Sequence, residues 1–161
     1  MDPTLYQIKM ATPKEAAIIS ELIHQGVDML EDKSYTSAQL AVWKKINTPE
    51  AIEESLQQRR IFCAFEGNEL IGTVGLEGNE LVGLYIKPSR KKQGIGGMLL
   101  AHVEQYAAAH QMTELKLTAI PSAKIYYQHK GFEVFQEVLT VVDGVEFPET
   151  EMVKRLMTTQ S

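Results

Sequence analysis

The chain has 161 residues, 44% of them apolar, and a formal net charge of −5. That length supports one hydrophobic core and one domain over residues 1–161. The acidic balance excludes a general nucleic-acid binder, and no apolar run approaches the ~20 residues of a membrane-crossing helix.

One cysteine, Cys63, rules out an internal disulfide and suits a reducing cytoplasm. Its apolar neighbours make it a core residue rather than a nucleophile. The sequence opens without a signal-peptide pattern.

In chain order, Leu5, Ile8 and Met10 with Tyr6 between them predict a short first strand. Thr12-Pro13-Lys14-Glu15 then reads as a helix start, with Thr as cap, Pro at the first turn and Glu reaching back. Ala16, Ile19, Leu22, Ile23 and Val27 share one helical face, and Gly26 weakens its far end. Residues 37–43 predict a second helix and 49–58 a third. Strands follow at 61–65, 70–76 and 81–86, joined by turns at 66–69 and at Gly78-Asn79. This meander delivers the chain to the stretch Lys87 to Met98.

A strand, a basic glycine-rich turn and a helix start form an anion site. The first helical turn leaves backbone N–H groups without partners, and glycines let a phosphate approach them. Arg90, Lys91 and Lys92 place positive charge beside it. The dinucleotide pattern fails because its last glycine is Leu99, and the Walker pattern lacks its Gly-Lys-Ser/Thr ending.

The following helix carries Ile95, Met98, Leu99, His102, Val103 and Tyr106 on one stripe. A strand over 113–118 should run parallel to 81–86, because a helix connects them. Residues 121–130 predict a helix closed by Gly131, 132–142 a strand, Asp143-Gly144 a turn and 152–156 a last strand.

Lys91-Lys92-Gln93-Gly94-Ile95-Gly96 resembles the acyl-CoA loop of the GNAT superfamily of N-acetyltransferases, Gln/Arg-x-x-Gly-x-Gly/Ala, with Lys91 at the first place. Leu84-Tyr85-Ile86-Lys87-Pro88 before it and Leu99-Leu100 after it are also similar to the family. So is Ala123-Lys124-Ile125-Tyr126-Tyr127-Gln128-His129-Lys130-Gly131-Phe132, which matches Ala-x-x-Phe/Tyr-Tyr-x-x-x-Gly-Phe at the right separation. A residue often Asn in the family is Ile120 here. The stretch from Tyr35 to Trp43 and the segment Gly144 to Leu156 add weaker likeness.

The resemblance implies an α/β (α+β) GNAT fold, with a mixed, mostly antiparallel sheet flanked by helices. It implies an acetyl-CoA-dependent N-acetyltransferase in which an amine attacks the thioester directly, without a metal. The CoA contacts it implies are Leu84, Tyr85 and Ile86 through the strand, and Lys91, Lys92, Gln93, Gly94, Ile95, Gly96 and Gly97 through the loop. Tyr127 takes the place of the acid for the leaving thiolate, and Glu80 is the first candidate for the base, with Glu77 behind it. Competing readings make Glu80 a solvated hairpin carboxylate, Tyr127 and Trp43 packing residues, and His129 an exposed side chain. The acceptor is an unidentified small-molecule or peptide amine, and a homodimer is an open alternative. The rival functions are a CoA-binding regulatory module without transfer, and an interaction domain with a vestigial loop.

Overall fold

The computed structural model describes residues 5–30 and 35–157. Its elements are β1 (Tyr6–Met10), α1 (Ala16–Asp28), α2 (Ser37–Lys45), α3 (Pro49–Ser55), β2 (Arg60–Glu66), β3 (Glu69–Glu77) and β4 (Glu80–Ile86). They continue with α4 (Ile95–Ala109), β5 (Glu114–Ala119), α5 (Lys124–His129), β6 (Glu133–Val142) and β7 (Val145–Arg155). The strands form one sheet in the order β1-β2-β3-β4-β5-β7-β6. Every pairing is antiparallel except β4 with β5.

Local chemistry explains most boundaries. Thr12 and Glu15 cap the first helix, the Thr12 N–H donating to Glu15 Oε1 at 2.8 Å. The chain passes through one 3-10 turn before α1 begins. Thr36 caps α2 in the same way, exchanging bonds with Gln39. Thr48 caps α3 through the Ala51 N–H, at 3.2 Å. That helix ends at Ser55, three residues before the predicted end, and residues 56–58 close as turns.

The two faces of the sheet carry separate cores. On one, α1 and α3 bury Ile19, Leu22, Val27 and Ile52 against Ile61 and Cys63. On the other, α4 buries Ile95, Leu99, Leu100 and Val103 against Phe62, Ile71, Val74, Leu115 and Met152. Each such side chain contributes roughly 1.5–3 kcal/mol relative to exposure. The buried stripe of α4 therefore follows Ile95, Leu99, Val103 and Ala107, while Met98, His102 and Tyr106 flank it. Cys63 is fully buried, and burial pushes its thiol up to about 11, as befits a core residue.

The largest departure from the sequence reading is at the far edge. The last strand begins at Val145, not 152, and pairs with β6 along a long hairpin closed by Asp143-Gly144. Pro148 sits inside it opposite Leu139. A strand proline normally signals an edge or an end, which is why the first half of β7 is hidden in the sequence.

Candidate active site

The sheet opens between β4 and β5. Their parallel register holds only Glu80 with Lys116 and Leu81 with Leu117. Beyond Leu81, β4 keeps pairing with β3 on its other side, through Ile86, while its β5 side pairs with no strand among the described residues. A polar ligand can satisfy backbone groups left open in this way.

A bulge shapes the start of the opening. Val74 faces Leu84 and Gly75 faces Val82, so Gly83 is the extra residue. Its φ of +70° lies in the left-handed region, and a Cβ there would stand 2.8 Å from the Tyr85 ring. Bulges re-aim side chains next to active sites. Here the bulge turns Tyr85 towards α1 and α2. The ring packs against Gly26, and Trp43 Nε1 donates to the Tyr85 hydroxyl at 2.6 Å.

The opening leads into a cavity of about 390 Å³. On the side of the α4 core and its loop it is lined by Leu84, Ile86, Lys91 and Tyr127. From the end of α2 and the β6–β7 hairpin come Trp43, Ile46, Thr140, Val142, Phe147 and Glu149. Glu80 also lines it but is itself exposed at the start of β4.

Beside Leu84, which lies 3.8 Å from where a Cβ on Gly96 would stand, Gly94 caps α4 with φ +83°, again left-handed. The helix's first i→i−4 bond runs from the Met98 N–H to the Gly94 carbonyl at 3.0 Å. The N–H groups of Ile95, Gly96 and Gly97 precede it and lie at the positive end of the helix dipole.

Residues 31–156 match the sequence model of the Acetyltransferase (GNAT) domain. The chain belongs to the GNAT acetyltransferase family. No curated protein matches the sequence. Among solved structures, the GNAT fold of the chain is similar to a GCN5-related N-acetyltransferase from Rhodopseudomonas palustris. The TM-score is 0.88 at 20% identity, covering 97% of this chain and 99% of that one. It is also similar to the PaiA N-acetyltransferase of Thermoplasma acidophilum, solved with coenzyme A, with a TM-score of 0.76 at 21% identity over 93% and 98% of the chains. An N-acetyltransferase from Staphylococcus aureus Mu50 gives 0.73 at 18%, over 93% and 97%.

Within this GNAT frame, the residues expected from the sequence separate into groups. Leu84, Tyr85, Ile86, Lys91, Glu80 and Tyr127 converge on the cavity. Lys92, Gln93, Gly94, Gly96 and Gly97 form the adjoining loop and helix start, outside the cavity lining. Ile95 offers only its backbone, because its side chain is buried in the α4 core. Glu77 is tied to Arg59 at 3.2 Å and does not line the cavity. His129 is exposed. Arg90 differs from its reading as loop charge: it is engaged by Glu66 on β2, so its charge is already matched.

Tyr127 and Tyr126 point differently, as their helical spacing requires. The Tyr127 ring packs edge-on against Phe132, and its hydroxyl has no hydrogen-bond partner among the described residues. Burial pushes its pKa far up, with the neighbouring Tyr126 and Tyr85 adding to the shift. The Tyr126 hydroxyl instead lies 2.6 Å from where a Cβ on Gly96 would stand. Lys130 Nζ lies 3.1 Å from the equivalent point on Gly97 and sits 5.6 Å from the Tyr126 ring centroid.

Sequence reasoning missed Tyr126 and Lys130 as neighbours of the loop, though both lie inside the Ala123–Phe132 motif. It also missed Thr140, Phe147 and Glu149, whose strands are adjacent only once the β6–β7 hairpin is formed. Among the described residues, no group of three or more His, Cys, Asp or Glu side chains is placed to hold a metal ion. No described helix is long and apolar enough to cross a membrane.

Proposed function

We propose that the chain, as a single catalytic domain in the cytoplasm, moves the acetyl group of acetyl-CoA to an acceptor amine by direct attack. The observation that carries this reading is the opening of the sheet immediately after Leu81 and Leu117, beside the Gly94-capped start of α4. The opening supplies unpaired backbone for the pantetheine arm. The helix start supplies N–H groups for the pyrophosphate. The solved complex of the Thermoplasma PaiA N-acetyltransferase with coenzyme A has the same fold and supports CoA as the ligand.

In this reading Leu84, Tyr85 and Ile86 pair through their backbone with the pantetheine and the thioester carbonyl. Lys91, Lys92, Gln93, Gly94, Ile95, Gly96 and Gly97 receive the phosphates, joined by Tyr126 and Lys130. The amine nitrogen attacks the thioester carbon, the carbonyl oxygen gains charge, and collapse expels the CoA thiolate. Backbone N–H donors stabilise that charge in a dry site more strongly than water does.

Tyr127 helps the thiolate leave. Burial holds its phenol protonated well above the reference pKa near 10, whereas a thiol ionises near 8.5. Complete proton transfer to sulfur is therefore uphill, and Tyr127 acts chiefly as a hydrogen-bond donor to the developing charge. A carboxylate lining the cavity accepts the amine proton. Glu80, exposed at the start of β4, is the candidate the sequence offers, and Glu149 is the other carboxylate of the lining.

Two measurements test the function. Isothermal titration with CoA should show binding with one site per chain. Thiol release from acetyl-CoA should accelerate when an amine is added. Binding without amine-dependent release would identify a CoA-binding regulatory module; no binding would remove the reading altogether.

A further inference from the structure

Glu149 lines the cavity from β7. It lies two register steps from the Thr140–Phe147 pair, opposite Val138. Alternation along the strands puts Glu149 and Phe147 on the same face as Thr140 and Val142, and all four line the cavity. Thr140 donates a side-chain hydrogen bond to the Glu149 carboxylate, which has further lone pairs to offer. Around it the wall is apolar: Trp43, Ile46, Val142 and Phe147.

The charges lining the cavity are unevenly placed. Lys91 belongs to the glycine loop, and the remaining charged groups are Glu149 and Glu80. Away from the loop the lining therefore carries only negative charge among largely apolar side chains, which fits an ammonium on an apolar body. It disfavours an amine with a carboxylate beside it.

We propose that Glu149 is the catalytic base of this site: it docks the acceptor's ammonium, takes its proton, and selects a primary amine on an apolar body. This rests on the reading of the cavity as an acetyltransferase site. The ammonium gives one proton to Glu149, and the neutral nitrogen attacks the thioester. As the C–N bond forms and the C–S bond breaks, a second nitrogen proton leaves and the thiolate is protonated to the thiol. The proton on Glu149 then passes to solvent. The balance is ammonium plus acetyl-CoA giving amide, CoA thiol and one proton.

Burial supports the assignment, because it raises the Glu149 pKa and so makes it a stronger base than an exposed carboxylate, against the opposing effect of the Thr140 bond. The other ionisable groups lining the cavity are Tyr85, Tyr127, Lys91 and Glu80. Burial pushes both phenols up, Tyr85 to about 12, so neither ionises in the assay range.

The test uses phenethylamine and phenylalanine, which share a body and differ by the carboxylate, with wild type, Glu149→Gln, Glu149→Asp and Glu80→Gln. Wild type should prefer phenethylamine by about tenfold or more in kcat/KM, a modest electrostatic discrimination. Glu149→Gln should lose about 10²–10³-fold in kcat/KM for phenethylamine, within the usual range for a lost base. Its CoA affinity by calorimetry should be unchanged. Its remaining rate should climb roughly tenfold per pH unit below the amine pKa, because it must find the neutral amine, while wild type levels off above the Glu149 pKa.

Glu149→Asp should recover part of the rate and the level profile, which a merely structural role would not restore. Glu80→Gln should lose only a few-fold, as expected of an exposed carboxylate. A wild-type rate and profile in Glu149→Gln would overturn the proposal, as would a collapse confined to Glu80→Gln. Equal use of the two probes would overturn the selectivity, and CoA binding without transfer to phenethylamine would overturn the acceptor class. Absence of CoA binding in wild type would instead sink the acetyltransferase reading on which the proposal stands.

Discussion

The two sides of the cavity are built by different means. The side proposed for CoA is made of backbone: a strand side of β4 that β5 leaves open and the N–H groups at the start of α4. The side proposed for the acceptor is made of side chains from α2, β4, β6 and β7, namely Trp43, Tyr85, Thr140, Phe147 and Glu149. A backbone site needs a local conformation, so a short run of sequence encodes it. A side-chain site needs distant strands to meet, so its residues scatter. In the proposed function the same division separates roles: the first side would receive CoA, and the second would select the acceptor.

Substitutions can break this division, beginning with the most damaging. Gly94→Asp places a non-glycine residue at φ +83°, at a conformational cost of about 1–2 kcal/mol, and adds negative charge where the pyrophosphate would lie. CoA affinity should fall about 100-fold or more; unchanged calorimetric binding in the folded variant would detach the loop from the ligand.

Tyr127→Phe removes one hydroxyl and keeps the ring against Phe132. A lost hydrogen bond to developing charge is worth ~1.5–3 kcal/mol, so kcat should fall about 10–100-fold. The KM for acetyl-CoA should hardly move, because the bond strengthens only in the transition state. Wild-type kcat at saturating acetyl-CoA would leave Tyr127 as packing.

Trp43→Phe deletes the donor to the Tyr85 hydroxyl while leaving an aromatic wall. The net value of such a bond is ~0.5–1.5 kcal/mol, so the acceptor KM should rise about 2–10-fold with CoA affinity intact. An effect on CoA alone would show that the two proposed roles are not separable at this residue.

The smallest effect distinguishes two adjacent cations. Arg90 is held by Glu66, whereas Lys91 lines the cavity and is exposed. Lys91→Ala should raise the KM for acetyl-CoA about 2–5-fold, in keeping with an exposed phosphate contact. Arg90→Ala should leave that KM within about twofold and lower the melting temperature slightly. The reverse ranking by steady-state kinetics would mean that Arg90 leaves Glu66 for the ligand.

What the sequence disclosed follows the same physical line. The capping box at Thr12–Glu15, the Gly78-Asn79 turn and the buried stripe of α4 are local signals, and each appears in the fold. The glycine loop was legible because Gly94 answers a backbone demand. Tyr85 was legible only as backbone: its side chain is redirected by the bulge at Gly83, which alternation alone does not reveal. Glu149 was hidden because Pro148 masks the first half of β7, and because the other lining residues come from distant segments of the chain. Arg90 reads as a free cation beside Lys91 until the β2–β3 turn brings Glu66 to it.

The central claim is that CoA enters where β4 parts from β5. Amide hydrogen exchange with and without CoA tests it most directly, because pantetheine pairing would cover backbone that is open in the free chain. The account predicts that added CoA slows exchange at residues 83–86 and at the α4 start, 95–97, and leaves β1 and β2 unchanged. CoA binding that instead protects the separate cleft formed by residues such as Arg59, Tyr106 and His110, with 83–86 exchanging as before, would contradict it.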